Sequence, residues 1–196
     1  MRSRAAASIL AGLLAAPGAA QGNVVERILA VVDGRPVLLS EVALFEKVRG
    51  DTERQALDGL IDEQLMYREA ARLPQAALTE EEEQRAFESL RARVPAVSAD
   101  EEEQLRRLAR RQAAILKYVG FRFRPQVRVS DEAVRAAYEA EGRGDGGSFE
   151  EAASAIRARL VEEDVSRRIE GWVKDLRQAA EIRYNLESPG ARAGPS

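Results

Sequence analysis

Asp62-Glu63 and the run Glu80-Glu81-Glu82-Glu83 are where paired carboxylates could do acid–base work or hold a hard cation. Consecutive carboxylates on a helix diverge by about 100° each, so neither set converges on one point. Both are read as solvated faces. The chain has no His and no Cys. That removes the usual proton shuttle near neutral pH, the thiol nucleophile and the common zinc donors. Ser, Asp, Glu, Lys and Tyr remain, so an enzyme is disfavoured rather than excluded. The stretch GRGDGG, 142–147, lacks both the Gly-Lys-Ser/Thr ending and the preceding strand of a phosphate loop. Arg143-Gly144-Asp145 matches the tripeptide read by integrins, and in a Gly-rich linker it is taken as chance. No catalytic residue, cofactor or metal ligand is assigned.

Basic residues gather at Arg106, Arg107, Arg110, Arg111, Lys117, Arg122, Arg124 and Arg128, with no acid between Gln104 and Ser130. Such a run suits an anionic surface. The favoured reading is a solvated face paired with the acidic turns at Glu80–Glu83 and Asp100–Glu103, and no nucleic-acid partner. Apolar contact is the other chemistry open to this chain. The candidates are Met66, off the main face of its helix, Phe87 and Leu90 on a thin stripe, and Phe121 and Phe123 between arginines. Methionine suits adaptable apolar surfaces. The stripe holding Phe87, Leu90 and Val94 is thin enough to anchor its helix loosely. Replacing Phe87 and Leu90 by Ser is therefore expected to weaken any apolar binding there at little cost in stability.

These residues must be positioned mostly by helices. Capping boxes punctuate the chain: Thr52 with Gln55, Thr79 with Glu82, Ser98 with Glu101, Ser148 with Glu151. Ser130 starts a helix with Asp131 and Glu132 in its first turn, favourable to the helix dipole. Leu57, Leu60, Ile61 and Leu65 mark one inward face over 53–73. A second stripe is Leu105, Leu108, Ala109, Gln112, Ile115, Leu116 and Val119, interrupted after Val119 by Gly120 and Pro125. A short helix over 131–141 turns Val134 and Tyr138 inward. A long helix runs from Phe149 to about Ala180, with Trp172 in its core face. Strands are scarce. RILAVVDGRPVLLSEV, 27–42, is a hairpin turning on Asp33-Gly34, followed by a helix capped at Ser40. Ile182, Tyr184 and Leu186 alternate with polar residues as a strand does. A lone hairpin is barely stable in water. The economical solution is that 27–39 and 181–186 pair in one sheet.

The N-terminus reads as an export signal. Arg2 and Arg4 precede an apolar Ala5–Ala16 stretch, and small residues at Gly18-Ala19-Ala20 suit cleavage there. Removal of 1–20 leaves about 175 residues, enough for one sizeable core. The 30 basic and 33 acidic residues nearly balance.

The order and spacing of these features resemble the periplasmic chaperone family of SurA, within the parvulin-linked foldases. The matching stretches are ILAVVDGRPVLLSEV, ALDGLIDEQLMYREA, RVSDEAVRAAYEAE and IEGWVKDLRQAAEIRYN. The resemblance covers nearly the whole mature chain, and no single motif in it is diagnostic. It implies a mainly α fold: a SurA-type N-terminal helical domain, a small β-sheet from an N-terminal hairpin and a C-terminal strand, and a long C-terminal helix packed back on it. The expected organisation is a signal peptide at 1–20, a discontinuous core of 21–141 plus 149–186, a linker at 142–148 and a disordered tail at 187–196. In that family one or two prolyl isomerase domains usually occupy the linker's place. Their absence, with that of His and Cys, argues against isomerase activity. The resemblance implies an ATP-independent holder of unfolded envelope proteins, in particular outer-membrane proteins, located in the periplasm and not inserted in the membrane. Two alternatives stay open: a docking subunit for one fixed envelope partner, and a prolyl isomerase with an atypical site.

Overall fold

The computed structural model describes residues 26–94, 96–140 and 148–185. The expected signal peptide, the RGD tripeptide, residues 142–147 of the linker and the tail lie outside them. The described chain is mainly helical, with one three-stranded antiparallel sheet. Strand β1 (Ile28–Val32) pairs with β2 (Arg35–Leu38) and, on its other side, with β3 (Ile182–Tyr184). The expected pairing of the two ends of the chain is present: Ala30 lies opposite Tyr184 and Val32 opposite Ile182.

The hairpin turns where its sequence allows. Asp33 and Gly34 both adopt positive φ, +47° and +79°. Asp tolerates that region and Gly enters it freely, which gives the tight turn matched to strand twist. The Asp33 N–H donates to the Glu181 carbonyl at 2.9 Å, and the Glu181 N–H donates to Asp33 Oδ1 at 2.8 Å. Arg68 adds an ion pair to the same carboxylate. One turn residue thus ties both ends of the chain to a helix.

Six helices follow the hairpin in turn: α1 (Leu39–Arg49), α2 (Glu53–Ala70), α3 (Glu80–Arg91), α4 (Ala99–Arg122), α5 (Asp131–Ala140) and α6 (Phe149–Ala179). All four expected capping boxes are formed, at Thr52, Thr79, Ser98 and Ser148. Ser130 Oγ accepts from the Ala133 N–H at 3.2 Å. Two details differ from expectation. Ser40 is not a cap: α1 begins at Leu39, and the Ser40 hydroxyl donates to Glu26 at 2.8 Å. The Glu41 carboxylate accepts the free Leu38 N–H instead. Gly120 does not break its helix, because α4 continues to Arg122 and a 3₁₀ turn at Arg124–Gln126 takes up Pro125.

Two apolar clusters organise the packing. The first joins the sheet to α1, α3, most of α2 and the first half of α4, through Val37, Phe45, Leu57, Leu60, Ile61 and Leu105. Leu176, Ala180 and Ile182 from the C-terminal end pack against it. The second lies at the far ends of α2 and α4, where Ile115, Tyr118, Val119 and Phe123 meet Val165 of α6. Trp172 stacks on Tyr118 with ring centroids 5.0 Å apart and lies 5.5 Å from Phe123. Helix α6, 31 residues and about 46 Å long, therefore bridges both clusters. Near its start, the Phe149 ring meets Tyr138 of α5 edge to face at 5.5 Å.

Candidate functional site: an open cleft between helices

Three helices each offer a row at helical spacing. Phe45, Val48 and Arg49 come from α1, Gly59, Glu63 and Met66 from α2, and Gln112, Ile115 and Leu116 from α4. Together with Arg93, from the turn after α3, they enclose an open cleft of about 500 Å³. That is within the size range of ligand and peptide sites. Gly59 permits the close approach of α1: a Cβ there would meet the Phe45 ring at 3.0 Å. Leu116 is the largest apolar exposure on this wall, with 71% of its surface open to solvent.

A charged group is built into the wall. Glu63 is 3% exposed, and its carboxylate accepts from Arg111 Nε at 2.7 Å and Gln112 Nε2 at 3.1 Å. Burial pushes its pKa above the ordinary glutamate value, against the pull of Arg111. This corrects the expectation that Asp62 and Glu63 both lie on solvated faces. Asp62 is partly exposed and is bound by Arg177 of α6. Glu63 points between α2 and α4, where Arg111 of α4 makes burial of a carboxylate tolerable.

The apolar candidates do not form one surface. Met66 lines the cleft and is half-buried. Phe121 is 57% exposed at the end of α4, away from the cleft-lining residues. Phe87, Leu90 and Phe123 are buried, which corrects the reading of them as surface contacts. Phe123 closes the second cluster beside Tyr118 and Trp172. Phe87 and Leu90 fasten α3 to the first cluster. The stripe is thin, yet ion pairs reinforce it: Lys117–Glu82 at 2.7 Å and Arg110–Glu83 at 3.0 Å. Arg106 also lies 3.9 Å above the Phe87 ring. Truncating a buried Phe typically costs about 3–5 kcal/mol, so the double Ser variant would unfold the protein before it reported on binding.

Leu116 is the cleft residue that sequence reasoning turned the wrong way. The seam of α4 against α2 runs through Leu105, Leu108, Gln112, Ile115 and Val119, in steps of three and four. Leu116 is about 100° round from Ile115, past the edge of that seam. A stripe wider than its seam was the available signal.

The basic run is largely paired, within α4 and with neighbouring helices. Arg107 meets Glu103 at 3.1 Å, Arg106 meets Glu102 at 3.8 Å and Arg124 meets Glu162 at 2.6 Å. Among the described residues, no group of three or more acidic, His or Cys residues is placed to hold a metal ion. No described helix is long and apolar enough to cross a membrane.

Set beside known proteins, the chain matches no family model and no curated protein.

Proposed function

We propose that this chain is a SurA-like chaperone core of the periplasm, exported by a signal at residues 1–20, which holds unfolded outer-membrane proteins without ATP and without prolyl isomerase activity. The cleft is the observation that carries the reading. It sets Met66, Ile115 and the exposed Leu116 in one lining with the charged groups Arg49 and Arg93. A holder that must release its clients without ATP needs a shallow apolar site diluted by charge. Uninterrupted apolar surface would bind too tightly and self-associate. The order of hairpin, helices, long C-terminal helix and returning strand supports the family resemblance. The short connection from α5 to α6 supports the absence of an isomerase domain.

The test is suppression of aggregation of an unfolded outer-membrane protein diluted from urea. The protein is expected to suppress it at a few-fold molar excess, and Leu116→Ser to lose most of that effect with an unchanged melting temperature. Leu116 is solvent-exposed, so the substitution removes no core packing. Equal suppression by the variant would remove the cleft from the reading. Tight, stoichiometric capture of one folded envelope protein, with no effect on unfolded chains, would favour a docking subunit instead.

A further inference from the structure

The cleft has direction as well as polarity. Phe45 rests on Gly59 at one end, and Arg49 lies over the Phe45 ring, 5.3 Å from its centroid. The turn carrying Arg93 follows Leu90, which belongs to the same cluster as Phe45. Arg49 and Arg93 thus both come from the side of the cleft formed by the first cluster, the side of Phe45 and Gly59. Met66 packs into the other cluster, the one that holds Ile115, so Met66 and Leu116 mark the opposite end. Gly59 and Met66 are seven residues apart on α2, about 10 Å along the axis.

The cations differ in how far they are engaged. Arg49 uses its Nε on Asp51 at 2.6 Å, and no bond among the described residues engages its Nη groups. The side chain of Arg93 makes no hydrogen bond or ion pair among the described residues. Glu63 is the acid of the lining, and Arg111 already neutralises it from the buried side. The mouth is thus positive at one end and apolar at the other. The groove beside α6 is different: there Arg177 is taken up by Asp62 and by the Asp58 carbonyl.

We infer that the cleft selects extended segments of unfolded chains in which an Asp or Glu lies about three residues from a bulky apolar side chain. Three residues of extended chain cover about 10 Å, the separation of the two ends. The carboxylate meets Arg93 and the free edge of Arg49, and the apolar side chain meets Met66 and Leu116. This inference rests on the client-holding reading and adds to it the class of segment held.

The experiment uses the full chain and three labelled peptides, identical but for one position three residues from a Leu-Phe pair. That position is Glu, Gln or Lys. Fluorescence anisotropy is expected to give the tightest binding for the Glu peptide, about five- to tenfold over Gln and more over Lys, as one charge-assisted contact provides. Arg93→Glu should invert the order of Glu and Lys. Arg93→Gln should level it while leaving the melting temperature unchanged, since the Arg93 side chain bonds no other described residue. Leu116→Ser should weaken all three peptides alike. Equal affinity for the three peptides on the native protein, or an order that survives Arg93→Glu, would overturn the inference. If Leu116→Ser still abolished client holding, the function proposed above would stand without it. If Leu116→Ser changed neither peptide binding nor holding, the cleft would drop out of the client-holding reading and the inference would fall with it. A dimer that dissociates on Leu116→Ser, with no peptide bound, would assign the cleft to a second copy and also overturn it.

Discussion

At the scale of single residues, the Glu63–Arg111 pair sets the sharpest test of the electrostatics. Glu63 is almost wholly buried, whereas the Arg111 side chain keeps 18% of its surface exposed. Removing one partner of a buried pair is costly mainly for the charge left behind. Arg111→Met keeps the bulk and strands a buried carboxylate, so it should cost about 3 kcal/mol at pH 7. Glu63→Gln strands a guanidinium that can reach water, and should cost about 1 kcal/mol. The pH dependence has a definite sign. The folded-state pKa of Glu63 is raised above 4.5, so the folded state holds its proton more firmly than the unfolded state. Its favourable share of stability is complete below 4.5 and is lost as pH rises through the folded value. The Arg111→Met deficit should therefore shrink as pH is lowered from neutral into the acid range and the stranded carboxyl takes up a proton. Urea melts of both variants across that range measure it. A larger loss for Glu63→Gln than for Arg111→Met would contradict this account.

At the scale of elements, the hairpin turn carries more than its length suggests. Asp33 adopts positive φ and accepts bonds from the Arg68 side chain and the Glu181 N–H. The hydrogen bond from Arg68, then that from Glu181, hold its carboxyl below the usual aspartate range. Asp33→Asn keeps both the tolerance of the left-handed region and an acceptor for Glu181, and should cost about 0.5 kcal/mol. Asp33→Ala loses the side-chain bonds that offset the steric cost its Cβ already carries in that region, about 2 kcal/mol. Chemical denaturation of the two variants checks the order. If they are equally stable, the link from turn to α2 and β3 contributes nothing. Helix α4 makes the complementary point about packing. It is gripped by α2 through Ile115 and Val119, and by α6 through the Tyr118–Trp172 stack. Leu116 falls outside both grips, which is why a helix with a well-formed apolar stripe still shows a leucine to solvent.

At the scale of the whole molecule, the two ends of the chain complete one structure. β3 closes the sheet beside β1, and α6 supplies Leu176 to one cluster and Val165, Ile169 and Trp172 to the other. Deleting Phe149 to Ser196 would uncover both clusters and leave β1 with a free edge. The remaining chain should melt broadly, bind a dye specific for exposed apolar surface, and self-associate. Circular dichroism against temperature measures this. A sharp transition in a soluble, monomeric truncated chain would show that α6 and β3 are dispensable for folding.

Much was fixed by residues near one another in the chain. The capping boxes at Thr52, Thr79, Ser98 and Ser148 set four helix starts, because each satisfies backbone donors within three residues. Asp33-Gly34 set the hairpin, because positive φ is a local steric matter. The pairing of the chain ends was also legible, since unpaired strands need partners and few were on offer. The site was not legible. Phe87, Leu90 and Phe123 looked available and are buried; Glu63 looked solvated and is buried; Leu116 looked buried and is exposed. Helical periodicity defines a face, but which part of it meets protein or water depends on where neighbouring helices lie. An arginine 48 residues away made Glu63 tolerable in the interior. The cleft arises only where rows from α1, α2 and α4 meet, so only tertiary packing could decide it.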